Sequence, residues 1–448
     1  MSRIVIRNAR LYDPEYDLKY DVGEGSSPPH PNDPTNNTAT NTADLYLNDG
    51  IIEGVNLGGD VDESFDAGGN LVTPAFVDLH AHLREPGQEV KENLASGLAA
   101  AAAGGYGTVV SMANTTPVIT EPEQIAELIA KAERLGQARL RPAAALSHGL
   151  KGERLTDFAA LQDAGAVMIT DDGIPVRDAH LMRRACEYAA ELGLVIQTHS
   201  EEPSLRQDGV MNEGTVSQRI GLPGNPVAAE AVMIYRDCEI AHLTGARVHI
   251  AHVSSARGWA VVERFKEQGA PVSGEVTPHH LTLTDEAMAA FDPVYKVAPP
   301  LRSAADVAFL RDALARGVVD SIGTDHAPHT RAEKDRDMLD APFGIGNIEV
   351  AFPLLYSELV TTDVVTLAEL LRRLQRGPTD VMDWSRPNLD PGSPADVVVL
   401  DLGTSRPVRP ETFKSKATFS PWAQQTLRGW PVATFVRGRK VYEREGSS

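Results

Sequence analysis

Val72 to Gly87 reads VTPAFVDLHAHLREPG. An apolar, β-branched run leads into His80-Ala81-His82, with Arg84 two residues later. Side chains of a strand alternate faces, so His80, His82 and Arg84 share one side. Two imidazoles at that spacing suit a metal ion, and a guanidinium beside them suits an anion. The preceding run reads as a buried parallel strand that Pro86-Gly87 ends.

Outward from this stretch, strand and helix patterns alternate. Strand candidates end near His82, Met112, Ala145, Thr170, His199, His252, Val276 and Asp325. Helix patterns cover Glu92–Ala103, Pro122–Leu135, Ala179–Leu192, Pro226–Thr244, Ala256–Gln268 and Ala304–Arg316. Eight such strands predict an α/β (β/α)8 TIM barrel over residues 72–385, with its chemistry at the C-terminal strand ends. Residues 1–71 and 386–448 carry short β patterns and predict a small β-sandwich domain built from both chain ends. Leu45–Val55 reads as a hairpin turning at Asn48-Asp49-Gly50. Asp13–Asp44, rich in Pro, Asn, Thr, Ser and Gly, reads as a mobile insertion. Thr330–Asp340 is highly charged and reads as either a lid or a plain solvated connection, the latter preferred.

The 448 residues carry a formal charge of −20, which argues against nucleic acid or an anionic membrane surface as partner. An anionic small-molecule substrate must then be drawn by local cations such as a metal and Arg84. The two cysteines, Cys186 and Cys238, form no disulfide framework and fit a reducing cytoplasm. Met1–Arg10 has no signal-peptide character, and no apolar run reaches membrane-span length.

Several other strand ends carry metal-ligand chemistry. Val195–His199 and Val248–His252 are apolar strands ending in histidine. Val318–Asp325 ends in a carboxylate, and Met168–Gly173 places Asp171 and Asp172 before a turn. With His80 and His82, this gives His199, His252, Asp325 and one of the Asp171/Asp172 pair. Six N/O ligands exceed what one tetrahedral zinc needs and suit two divalent ions sharing a carboxylate. His249 and His252 are an odd number apart and face opposite ways, so His252, at the tip, is the ligand. His279 and His280 read as surface or supporting residues.

DLHAHLREPG (Asp78–Gly87) and GTDHAPH (Gly323–His329) closely resemble the two signatures of dihydroorotases, of the bacterial class I type, in the amidohydrolase superfamily. ANTTP (Ala113–Pro117), TDDG (Thr170–Gly173), HSEE (His199–Glu202), AHVS (Ala251–Ser254) and APFG (Ala341–Gly344) extend the resemblance from about Arg3 to Tyr442.

The resemblance implies a zinc-dependent enzyme that interconverts N-carbamoyl-L-aspartate and L-dihydroorotate in pyrimidine synthesis. By that resemblance His80 and His82 hold one zinc, His199 and His252 a second, and Asp172 bridges them. Asp325 lies at the metals as ligand and catalytic acid–base. His82, Arg84, Asn114, His329, Phe343 and Gly344 match substrate-binding positions. A cytoplasmic homodimer is implied, with association to aspartate transcarbamoylase a further family trait. Ala298 departs from the pattern, standing where many members carry a substrate-binding asparagine.

Two rival readings differ in particular residues. Hydantoinases and allantoinases generally use a carboxylated lysine at the bridging strand end, where this chain has Thr170-Asp171-Asp172, and lack the Arg84 placement. Catalytically silent dihydroorotase-like subunits characteristically lose metal ligands, and here every one is present.

Overall fold

The computed structural model describes residues 2–13 and 42–445. The insertion expected over 13–44 lies outside the described residues except at its edges.

The stretch expected to form one strand serves two sheets. Leu71–Pro74 belongs to the terminal sheet, where Val72 lies antiparallel to Val399. Phe76–Ala81 is the first barrel strand. Pro74 has no N–H to continue a ladder, and the chain changes partners there. The barrel strand also stops at Ala81, so strand alternation covers His80 but does not reach Arg84. Instead, Arg84 takes a left-handed backbone, φ 61°.

Seven further parallel strands follow: Tyr106–Ser111, Arg139–Ala145, Met168–Thr170, Val195–Thr198, Arg247–Ile250, Val272–Val276 and Ser321–Ile322. They pair in chain order. A parallel bridge between Ala81 and His326 joins the last to the first. The Asp78 carboxylate reinforces that seam by accepting the Thr324 N–H at 3.0 Å. Burial pushes its carboxyl up to about 7.

The expected helices form within a residue or two of their predicted ends. Others are present as well, among them Phe158–Asp163, Leu367–Leu374 and Arg376–Met382. Leu367, Leu370, Leu371 and Leu374 are buried at helical spacing, which is the signal for the second of these. The main core lies between barrel and helices, with Phe76 stacked on Phe352 at 4.9 Å between ring centroids. Cys186 and Cys238 are buried and free.

The chain ends combine as expected, but the sandwich is one hydrogen-bonded sheet. Seven strands form a continuous path from Ile51–Val55 to Arg439–Glu443, and Glu63–Asp66 adds an eighth by pairing with Arg3–Leu11. The sheet encloses one core, in which Ile6, Leu47, Val397 and Phe435 meet. The hairpin turns at Asp49 and Gly50, with φ 51° and 84°, as a two-residue turn of the right twist requires.

Thr330–Asp340 is not a plain solvated loop. Lys334 and Met338 are buried in it. No helix among the described residues is long and apolar enough to cross a membrane.

Candidate metal centre

His80, His82 and Asp172 bring ligand atoms within 4.8 Å of one another, and so do Asp172, His199 and His252. Asp172 belongs to both groups and is buried. Its Oδ1 lies 3.3 Å from His80 Nε2, 3.6 Å from His199 Nδ1 and 3.8 Å from His252 Nε2. Its Oδ2 lies 3.5 Å from His82 Nε2. Asp325 Oδ1 is 3.2 Å from His82 Nε2 and 3.6 Å from His80 Nε2. Four strand ends and the turn after the eighth strand thus supply one cluster.

The choice within each ambiguous pair has a structural reason. Asp171 turns away and accepts the N–H groups of Val176 (2.8 Å) and His199 (3.0 Å). His249 faces Ser273 and Glu275, whereas His252 faces the cluster. His252 and Asp325 have left-handed backbones, φ 36° and 45°, as does Arg84. Such conformations are unfavourable for residues with a Cβ and concentrate where function fixes a side chain.

The donor set fits divalent cations. His80 Nε2 is buried and makes no hydrogen bond, while His80 Nδ1 lies 2.7 Å from Glu275 Oε1. That carboxylate therefore selects the Nδ1–H tautomer and leaves the Nε2 lone pair aimed at Asp172 and Asp325. His82 repeats the arrangement, with Nδ1 3.0 Å from Asn114 Oδ1. In His199 the roles reverse: Nε2 meets Glu201 at 2.9 Å and Nδ1 faces the cluster. Burial acts to raise both acidic groups. The surrounding histidines outweigh it and hold Asp172 and Asp325 well below the usual carboxylate range. Two buried anions among imidazoles match an N/O-ligated cation pair.

Glu275 and Glu201 were not singled out in the sequence, although a carboxylate inside the apolar strand Val272–Val276 is a signal. Glu275 also holds His249 Nε2 at 3.2 Å. Glu275→Gln is expected to weaken metal affinity about 10–100-fold, read by chelator competition. Unchanged affinity would remove Glu275 from this role.

The expected substrate positions gather beside the cluster. Arg84 Nε donates to Pro328 O at 3.2 Å, and Arg84 Nη2 lies 3.2 Å from His329 Nε2. His329 Nε2 is 2.8 Å from Phe343 O, so it carries a proton. With that N–H taken by the carbonyl, the Arg84 guanidinium is the charged donor beside it that suits a carboxylate. A Cβ on Gly344 would lie 2.6 Å from Ala327 O, and its φ is 135°, so only glycine fits. Asn114 donates to Asp172 Oδ2 at 3.2 Å as well as accepting from His82. It therefore ties His82 to Asp172. His279 and His280 are buried rather than on the surface, and His280 Nε2 lies 3.0 Å from Pro299 O.

Residues 69–257 match the protein-family model described as Dihydro-orotase-like. The chain is 54% identical over 404 residues to a dihydroorotase of Deinococcus radiodurans, covering 90% of this chain and 96% of that one. It is 48% identical over 406 residues to a dihydroorotase of Thermus aquaticus, covering 89% and 95%. The chain belongs to the dihydroorotase family. The fold extends further. An L-hydantoinase from Arthrobacter aurescens superposes with a TM-score of 0.82 at 24% identity, covering 99% of this chain and 96% of that one. A dihydropyrimidinase from Brevibacillus agri does so at 0.79 and 21%, covering 98% and 95%. At these identities the likeness is one of architecture, and the dihydroorotase assignment rests on the sequence relatives.

Proposed function

We propose that this dihydroorotase-family chain interconverts N-carbamoyl-L-aspartate and L-dihydroorotate with two zinc ions. One observation carries the reading: two groups of potential metal ligands share Asp172, with the Arg84 guanidinium 3.2 Å from His329 beside them. When bound, zinc would lower the pKa of a coordinated water and polarise the amide carbonyl. His80 and His82 would hold one ion, His199 and His252 the other, with Asp172 between.

The chain's own groups do the rest. Arg84, beside His329, binds the substrate carboxylate and fixes the ring. In hydrolysis, water oxygen adds to the ring carbonyl carbon and the carbon–nitrogen bond breaks. Asp325, ionised beside the histidines, takes the water proton and delivers it to the departing nitrogen. In cyclisation the same carboxyl must begin protonated. Carbamoyl-aspartate carries one more negative charge than dihydroorotate, so hydrolysis releases a proton and rising pH favours it.

Turnover of dihydroorotate against hydantoin and allantoin tests the reading. Dihydroorotate should be strongly preferred, and a preference for either alternative would overturn it. Arg84→Lys is expected to raise KM for dihydroorotate roughly 10- to 100-fold, because an ammonium cannot reproduce the planar fork. An unchanged KM would remove Arg84 from carboxylate binding. A cytoplasmic homodimer is the working form we propose, and light scattering on the purified protein checks the dimer.

A further inference from the structure

Between His329 and Gly344 the chain lies as a strap beside the candidate substrate pocket. Thr330 caps a short helix, Arg331–Lys334, in a capping box with Glu333. Lys334 is 4% exposed, and its Nζ donates to the carbonyl oxygens of Pro293 (2.9 Å), Lys296 (3.2 Å) and Pro342 (3.0 Å). Lys296 is 1% exposed, and its Nζ donates to Met338 O (2.8 Å) and Leu339 O (2.9 Å). The Lys296 carbonyl also accepts the Gly344 N–H at 2.9 Å. Two ammonium groups thus stitch residues 293–296 to the middle and the end of the strap.

The apolar side is fixed as well. Met338 packs with Val210, Met211, Val216 and Met288. Phe343 lies between the Lys296 ammonium, 4.5 Å from its ring centroid, and the Arg206 guanidinium at 4.9 Å.

Burying an ammonium against neutral carbonyls is costly. Burial and the neighbouring Lys296 push Lys334 down to about 7. A methionine of similar length would fill the same space without that penalty but would take the donor from the Pro342 carbonyl. What the bonds define is the position of Phe343 and Gly344. Phe343 O meets His329 Nε2 at 2.8 Å, and that nitrogen lies beside Arg84.

We propose that Lys296 and Lys334 are positioning residues for substrate carboxylate binding: they hold the 331–344 strap so that Phe343 aligns His329 beside Arg84. The proposal rests on the dihydroorotase reading above. It treats the strap as a fixed wall of the pocket, set by two side chains that touch no substrate.

The test uses Lys334→Met, with Lys296→Met as a second variant should the first fail to fold. Three readouts are taken: steady-state kinetics with dihydroorotate, bound metal, and amide hydrogen exchange along the chain. Expected are a KM raised about tenfold or more, a kcat within about threefold, unchanged metal, and faster exchange confined to 331–344. Faster strap exchange with unchanged KM would overturn the proposal, because the strap would then not position the pocket. Unchanged exchange would overturn it too, because the lysines would not hold the strap. Loss of metal with the KM change would also overturn it, the effect then reaching beyond the pocket wall. Absence of dihydroorotate turnover in the unsubstituted protein would instead sink the functional reading, while hydrogen exchange still reports what the lysines hold.

Discussion

Replacing Asp325 by alanine is expected to lower kcat for dihydroorotate about 10²–10⁴-fold while most bound metal remains. The group lies 3.2 Å from His82 Nε2 and 3.6 Å from His80 Nε2, at the edge of one ligand group. Four histidines and Asp172 stay in place when it is removed, so metal affinity should fall modestly. What disappears is the carboxylate that moves a proton between water and ring nitrogen. Elemental analysis and a steady-state assay on the same sample separate the two effects. Near-normal turnover would show that Asp325 is not the proton carrier.

Asp172→Ala should be more damaging still, and in a different way. Asp172 is the only residue common to both ligand groups among the described residues. Without it the second group falls to two imidazoles, and the first keeps two imidazoles with only Asp325 at its edge, too few for tight N/O sites. Bound metal should drop sharply at both positions, and turnover should fall below that of the Asp325 variant. Retention of two metals in Asp172→Ala would show that the carboxylate does not bridge them. Asp172→Asn is informative beside it, since it keeps an oxygen but not the charge. An intermediate metal content is expected there.

The sequence carried the cluster because ligands at strand ends follow readable apolar runs. His199 and His252 each follow such a run, and the place of His252 at the tip marked it over His249, although the strand itself ends at Ile250. The barrel was legible for the same reason, through regular alternation of strands and helices. Other features depended on information that no local pattern holds. Pro74 splits an apolar run between two sheets, and only the partner strand Val397–Asp401 reveals it. Glu275 sits in a short strand and becomes meaningful only once His80 arrives from 195 residues away. Charge density along Thr330–Asp340 suggested solvent. It concealed Lys334, whose ammonium is satisfied by carbonyls from distant segments. Arg84 reached its predicted neighbourhood by a left-handed turn of the backbone rather than by continuing the strand.

Anomalous diffraction at the zinc edge from crystals of metal-replete protein tests the central claim most directly. Two peaks are predicted, one among His80, His82 and Asp172 and one among Asp172, His199 and His252. Peaks placed elsewhere, or a barrel mouth without any in a sample shown to contain zinc, would contradict it.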